Sequence, residues 1–146
     1  MERGSRLEPE ALSAFEFETG KKFERVGLIQ DDTNDNIAQS PDGYIEDTDD
    51  TEAGEAKCPG GKNYVKLWLT NKVPDDYEWQ VTQYFVVNPK LKILWFIGYN
   101  PDITVHPLHI IKVTRESLTD KIVEARKEQE EFLQEVEEKL SKIITL

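Results

Sequence analysis

The chain holds a single cysteine, Cys58, in 146 residues. One thiol excludes an internal disulfide framework and fits a reducing, intracellular setting. Long hydrophobic runs are missing too. The longest, Ile93 to Tyr99, has about seven residues, far short of the roughly 20 that cross a bilayer. The first residues do not read as a basic-then-apolar leader. Both observations argue against a membrane protein. Histidine is scarce, and the two present, His106 and His109 in "HPLH", lack companion cysteines, which argues against a zinc site. Positive charge is also short. The formal net charge of −11 argues against a protein that coats DNA. It leaves open one that grips a DNA end locally.

What is present describes a globular chain. The hydrophobic fraction is 38%, with three Trp, five Tyr and six Phe, which fits one domain over residues 1–146 with a packed core. The acids are unevenly placed. Glu46, Asp47, Asp49, Asp50, Glu52 and Glu55 fall within Gly43 to Ala56 with no base among them. A second acidic stretch begins at Glu116. Arg3, Arg6, Lys57, Lys62, Lys66 and Lys72 form a modest basic set on either side of the first.

Periodicity assigns the elements. "LEPEALSAFEFETG" predicts a helix with Pro9 in its first turn, an apolar face of Ala11, Leu12 and Phe15, and a stop at Gly20. "KFERVGLIQ" predicts a strand with an irregularity at Gly27. "GYIE" and "AGEAK" predict two strands around the tip "DTDDTE". "NYVKLWLT" is ambiguous. "PDDYEWQVTQYFVVN" predicts a helix opened by proline and acids. "KLKILWFIGYN" reads as a strand buried on both faces and "LHIIKVT" as another strand. From Ser117 one helix is expected to about Ile144. Trp68, Trp79 and Trp95 are expected in the core, and Cys58 reads as a small buried residue. The order of elements is an α/β or α+β pattern with a mixed sheet.

The acidic hairpin carries the chemistry. Side chains alternate on a strand, so Glu55 and Lys57 share a face. A turn between Asp49 and Asp50 would set Asp42 opposite Lys57 and Tyr44 opposite Glu55. Two converging carboxylates attract an oxygen-liganded divalent cation, and a lysine beside them suits phosphodiester hydrolysis. A solvated, charged sheet edge is the plainer alternative. The tip itself lacks the glycine and distal glutamate of an EF-hand loop, and reads as a solvated turn.

"SPDG" followed by "GEAKCP" resembles the PD-(D/E)xK nuclease motif. With "RG" plus "LEPEAL", "FEFETG", "WQVTQY" and "FIGYNPD" in order, the chain resembles the lambda-exonuclease or YqaJ-type viral recombinase family over nearly its whole length. The resemblance implies a restriction-endonuclease-like core, with a mixed central sheet flanked by helices and a long C-terminal helix. It implies metal ligation by Asp42, Glu55, the Ala56 carbonyl and Glu8, with Lys57 and Gln80 beside the attacking water. Arg3, Arg6 and Lys62 are the candidate DNA contacts. Magnesium or manganese is the implied cofactor. The implied activity is 5′→3′ digestion of double-stranded DNA ends, in the cytoplasm of a bacterial host by a phage or prophage protein, together with a single-strand annealing protein. A DNA-end or partner-binding module of the same fold and a site-cutting endonuclease are the alternatives. Family members carry further helical sequence before the first motif, so this chain is expected to lack that N-terminal segment. Leu118, Ile122, Ala125, Phe132, Val136, Leu140 and Ile143 form one stripe on the last helix. Either the stripe packs wholly on its own core, or its distal end meets another subunit, as in the trimeric ring the resemblance implies.

Overall fold

The computed structural model describes residues 2–24, 29, 30, 38, 39 and 43–145, with the backbone alone at 2–5, 29, 30, 38 and 39. Asp42 and Gly27 lie outside the described residues, as does the side chain of Arg3.

Helix α1 (Glu2–Thr19) buries Ala11, Leu12 and Phe15, the face expected from their spacing. It begins earlier than its proline suggests, so Pro9 lies inside the helix and not in its first turn. There it removes one backbone donor. Short strands β1 (Phe23–Glu24), β2 (Ile29–Gln30) and β3 (Ala38–Gln39) follow, and β2 and β3 pair as a separate two-stranded ribbon. The acidic hairpin is β4 (Gly43–Ile45) and β5 (Glu52–Lys57). At its tip Asp47, Asp49 and Asp50 have φ of 63°, 53° and 61°. Aspartate tolerates this left-handed region better than most residues because its short side chain bonds locally. The density of aspartate there therefore suits the turn itself.

The stretch with no clear periodicity, "NYVKLWLT", lies in helix α2 (Gly61–Thr70), which buries Tyr64 and Leu67. Asn71 ends it in the left-handed conformation, φ 49°, with its N–H on the Leu67 carbonyl, a common C-terminal stop. Helix α3 (Asp75–Val87) follows, with Asp75, Asp76 and Glu78 in its first turn. Strands β6 (Ile93–Tyr99) and β7 (Leu108–Thr114) are antiparallel neighbours. A short 3₁₀ turn (Glu116–Leu118) leads into helix α4 (Thr119–Ile144).

The main sheet runs β1-β4-β5-β6-β7, with β5 and β6 parallel and the other pairs antiparallel. This is the mixed sheet the element order implied, with β6 paired on both edges. Its two faces carry separate cores. One packs α2 and α3 through Tyr64, Leu67, Val81, Tyr84 and Phe85 on Ala53, Leu94 and Phe96. The other packs α1 on Ile45, Ala56, Ile97 and Tyr99. Gly98 makes the first approach possible, because a Cβ there would run into Leu67.

Three expectations need correction. The hairpin register pairs Gly43 with Gly54 and Tyr44 with Ala53, so Tyr44 is not opposite Glu55. The turn is centred between Thr48 and Asp49, one residue earlier than expected. Trp79 is 56% exposed and Trp68 37% exposed, so neither is core. On α3 the inward face is taken by Val81, Tyr84 and Phe85, which leaves Trp79 pointing outward. Trp68, near the end of α2, instead stacks on His106 and His109, with centroids 4.8 and 4.4 Å away. Finally, α4 does not bury its whole stripe. Ile122, Ala125 and Leu133 pack on Val86 and Val87, whereas Phe132, Leu140 and Ile143 are exposed.

Candidate active site

Strand β5 places Glu55 and Lys57 on the face covered by α3, and turns Ala56 between them toward α1. Glu55 is buried, 4% exposed, which is costly for a carboxylate without partners. Three donors meet it. Gln80 donates through Nε2 to Oε1 at 2.8 Å. The buried Tyr84 hydroxyl donates to Oε2. The Lys57 ammonium lies 3.2 Å from Oε1. Gln80 and Tyr84 are four residues apart, so both project from one face of α3. Gln83, on a different face, accepts from Gln129 of α4 at 2.6 Å.

Burial pushes the Glu55 carboxyl above its ordinary range. The Tyr84 hydrogen bond and Lys57 oppose that rise, and Glu8 of α1, a like charge close enough to act on Glu55, adds to it. Lys57 also lies over the Tyr77 ring, 4.9 Å from its centroid. The ammonium is thereby held between a carboxylate and an aromatic face.

The structure thus brings Glu55, Lys57 and Gln80 into direct contact, and Glu8 of α1 acts on Glu55 through its charge. Ala56 follows Glu55 on β5, where its main chain lies beside the group. Asp42 is outside the described residues. Arg6 and Lys62 are exposed, and no described contact joins either to Glu55. Tyr84 and Tyr77 escaped the sequence reading. The signal for Tyr84 was its i+4 spacing from Gln80. Among the described residues no three His, Cys, Asp or Glu side chains cluster as a metal cage. His106 and His109 serve Trp68 and Asn71, with His109 Nε2 2.9 Å from Asn71 Oδ1.

A hard divalent cation fits the described donors. Glu8 and Glu55 come from two elements, both carry oxygen donors, and the like charge of Glu8 disfavours ionised Glu55, which a cation between them would relieve.

The sequence matches the YqaJ-like viral recombinase domain over residues 1–90. The chain belongs to that family. The YqaJ-like segment runs from α1 through α3 and holds every residue of the Glu55 group. Strands β6 and β7 and helix α4 lie beyond it, and solved structures extend the likeness across them. The crystal structure of an alkaline exonuclease from Laribacter hongkongensis superimposes with a TM-score of 0.79 at 26% identity, over 98% of this chain and 75% of that one. The same exonuclease in complex with dAMP gives 0.81 at 26% identity, over 99% and 74%. The fold of this YqaJ-like protein is therefore of the PD-(D/E)xK type. No curated protein matches the sequence.

Proposed function

We propose that residues 1–146 act as one nuclease domain, a metal-dependent 5′→3′ exonuclease on double-stranded DNA ends. The observation that carries this reading is the buried Glu55 carboxylate with Lys57 3.2 Å away and Gln80 2.8 Å away, on a YqaJ-like fold shared with an alkaline exonuclease. Magnesium or manganese is the proposed cofactor, held by Asp42, Glu55, Glu8 and the Ala56 carbonyl. Such a cation would neutralise charge at the phosphate and lower the pKa of water so that hydroxide is available as the nucleophile.

The protein's own residues do the rest. Gln80 and Tyr84 fix the carboxylate of Glu55, so its lone pairs keep one direction. Lys57 presents an ammonium to the scissile phosphate and orients the attacking water. Its place over Tyr77 limits the positions it can take. Arg3, Arg6 and Lys62 are proposed to approach DNA only when it is bound, which agrees with the exposure of Arg6 and Lys62. A phage or prophage origin, work in a bacterial cytoplasm and partnership with a single-strand annealing protein belong to the same reading. Among the described residues no helix is long and apolar enough to cross a membrane.

Digestion of linear duplexes with and without a 5′ phosphate, beside a closed circle, tests the proposal in magnesium. Linear duplex should vanish from its 5′ ends while the circle survives. A nicked circle would indicate an endonuclease. Two intact substrates with retained DNA binding would indicate a binding module.

A further inference from the structure

Strand β7 lies at one side of the main sheet. Among the described residues it pairs with β6 alone, so one edge of the strand has no neighbour. The ladder shows which main-chain groups lie on that edge. The Asn100 N–H donates to the Pro107 carbonyl at 2.8 Å, and the Arg115 N–H to the Lys92 carbonyl at 2.9 Å. Opposite residues of an antiparallel ladder alternate between bonded and unbonded pairs. His109, Ile111 and Val113 therefore turn toward β6, whereas Leu108, Ile110 and Lys112 turn their N–H and C=O groups outward.

A groove of about 820 Å³ follows the start of this edge. Its lining comes from both faces of the sheet. Leu108 and Ile110 pack on the α1 side, where Phe17 extends the wall. His109 lies on the other side, with its ring centroid 4.4 Å from that of Trp68 on α2. The outward edge thus lies between two largely apolar walls. Phe17 is 91% exposed, as is 79% of Val105 at the same groove. Glu10 and Glu18 line it too, with no lysine or arginine.

We propose that β7 accepts an extended segment of a partner protein as an added strand, apolar along its middle and carrying lysine or arginine at its ends. A row of outward N–H and C=O groups at strand spacing is matched by another extended chain. Alternate side chains of that chain would meet Phe17 and Ile110 on one wall and Trp68 and His109 on the other. Glu10 and Glu18 call for the cations. They also disfavour a second copy, which would bring its own two glutamates in a chain of net charge −11, and they disfavour nucleic acid. Edge strands are commonly guarded by lysine, but Lys112 lies past the groove and leaves Leu108 to Ile110 unguarded. No residue of the Glu55 group lines the groove, so strand addition does not depend on the nuclease reading.

Calorimetric titration with the acetylated and amidated peptide Lys-Val-Leu-Val-Leu-Val-Lys tests this. The peptide should bind below millimolar concentration. Methylating the amide nitrogens of its Val and Leu residues keeps the side chains and removes the strand donors, and should weaken binding at least about tenfold. Glutamate in place of both lysines should weaken it as well. Phe17→Ser with Val105→Ser should lose most of the affinity, and because both side chains are exposed the fold should survive, which circular dichroism checks. Equal binding of the methylated peptide, equal binding of the glutamate peptide, unchanged affinity in the double variant, or no binding at millimolar concentration would overturn the proposal. So would displacement of the peptide by a single-stranded oligonucleotide, or a doubled mass in light scattering that the peptide reverses, since the groove would then belong to nucleic acid or to a second copy.

Discussion

At the scale of single residues, the central feature is a carboxylate buried to 4% exposure and met by three donors. Lys57 and Tyr84 both touch Glu55, yet they should fail differently. Lys57→Ala removes an ammonium that acts on phosphate and water. Cleavage should fall at least about 100-fold, within the usual range for a positioned acid–base group. Cation binding measured by calorimetry should stay close to that of the unmodified protein. Full activity in Lys57→Ala would remove it from the chemistry. Tyr84→Phe keeps the ring and deletes the hydroxyl that holds Oε2. A buried acceptor without its partner costs about 1–3 kcal/mol, so the melting temperature without metal should drop. Magnesium or manganese should raise the melting temperature of the unmodified protein by mass action. The rise should be smaller in Tyr84→Phe, because the freed carboxylate no longer meets the cation in one orientation. High cation concentration should recover its cleavage. An unchanged metal-dependent rise would show that Tyr84 serves packing alone.

Helix α3 is the element on which the site depends. One face carries Gln80 and Tyr84 to Glu55, and its C-terminus is tied down by Arg115, with Arg126 of α4 on the Val86 carbonyl at 3.1 Å. Arg115, just after β7, donates to the Phe85, Asn88 and Leu91 carbonyls at 2.8, 2.6 and 2.7 Å. Its guanidinium lies 5.3 Å from the Phe85 ring centroid. The end of a helix presents unpaired carbonyls and a partial negative charge, so a planar cation with several donors suits this position better than an ammonium. Burial holds the Arg115 pKa below its ordinary value, though arginine stays charged at neutral pH. Arg115→Lys should destabilise the protein by about 2 kcal/mol, since hydrogen bonds from charged groups contribute about 1.5–3 kcal/mol each and lysine reaches fewer carbonyls. Urea denaturation measures this. A midpoint shift equivalent to less than about 0.5 kcal/mol, the range of ordinary surface substitutions, would show that α3 needs no such tie.

At the scale of the whole molecule, α4 extends beyond the core it packs against. Phe132 is 65% exposed, Leu140 53% and Ile143 67%, on a helix whose earlier turns bury Ala125. Exposed apolar side chains at three- and four-residue steps favour helix association. Glu124, Glu128, Glu131, Glu135 and Glu138 oppose it through like charge. Self-association should therefore be weak and should strengthen as salt screens the acids. Light scattering over a range of protein and salt concentrations checks this, and Phe132→Ser with Leu140→Ser should lower the apparent mass. A strict monomer at high protein and salt would mean that the stripe does not mediate contact between copies.

The sequence by itself determined whatever repeats along the chain. Two-residue alternation set Glu55 and Lys57 on one face of β5. Three- and four-residue steps marked the buried face of α1, and a Pro-Asp-Asp opening marked the start of α3. These signals are local, because backbone geometry alone ties residue spacing to direction. The tertiary structure decided what depends on how elements dock. The shift that pairs Tyr44 with Ala53 follows from where the hairpin turns, which alternation does not specify. The contact of Tyr84 with Glu55 needs α3 laid across β5, residues 29 positions apart. The exposure of Trp79 follows from which face of α3 the sheet took, and that of Phe132 from where α3 ends beside α4. No spacing in the chain states how far one helix runs past another, because that is set by how distant elements dock.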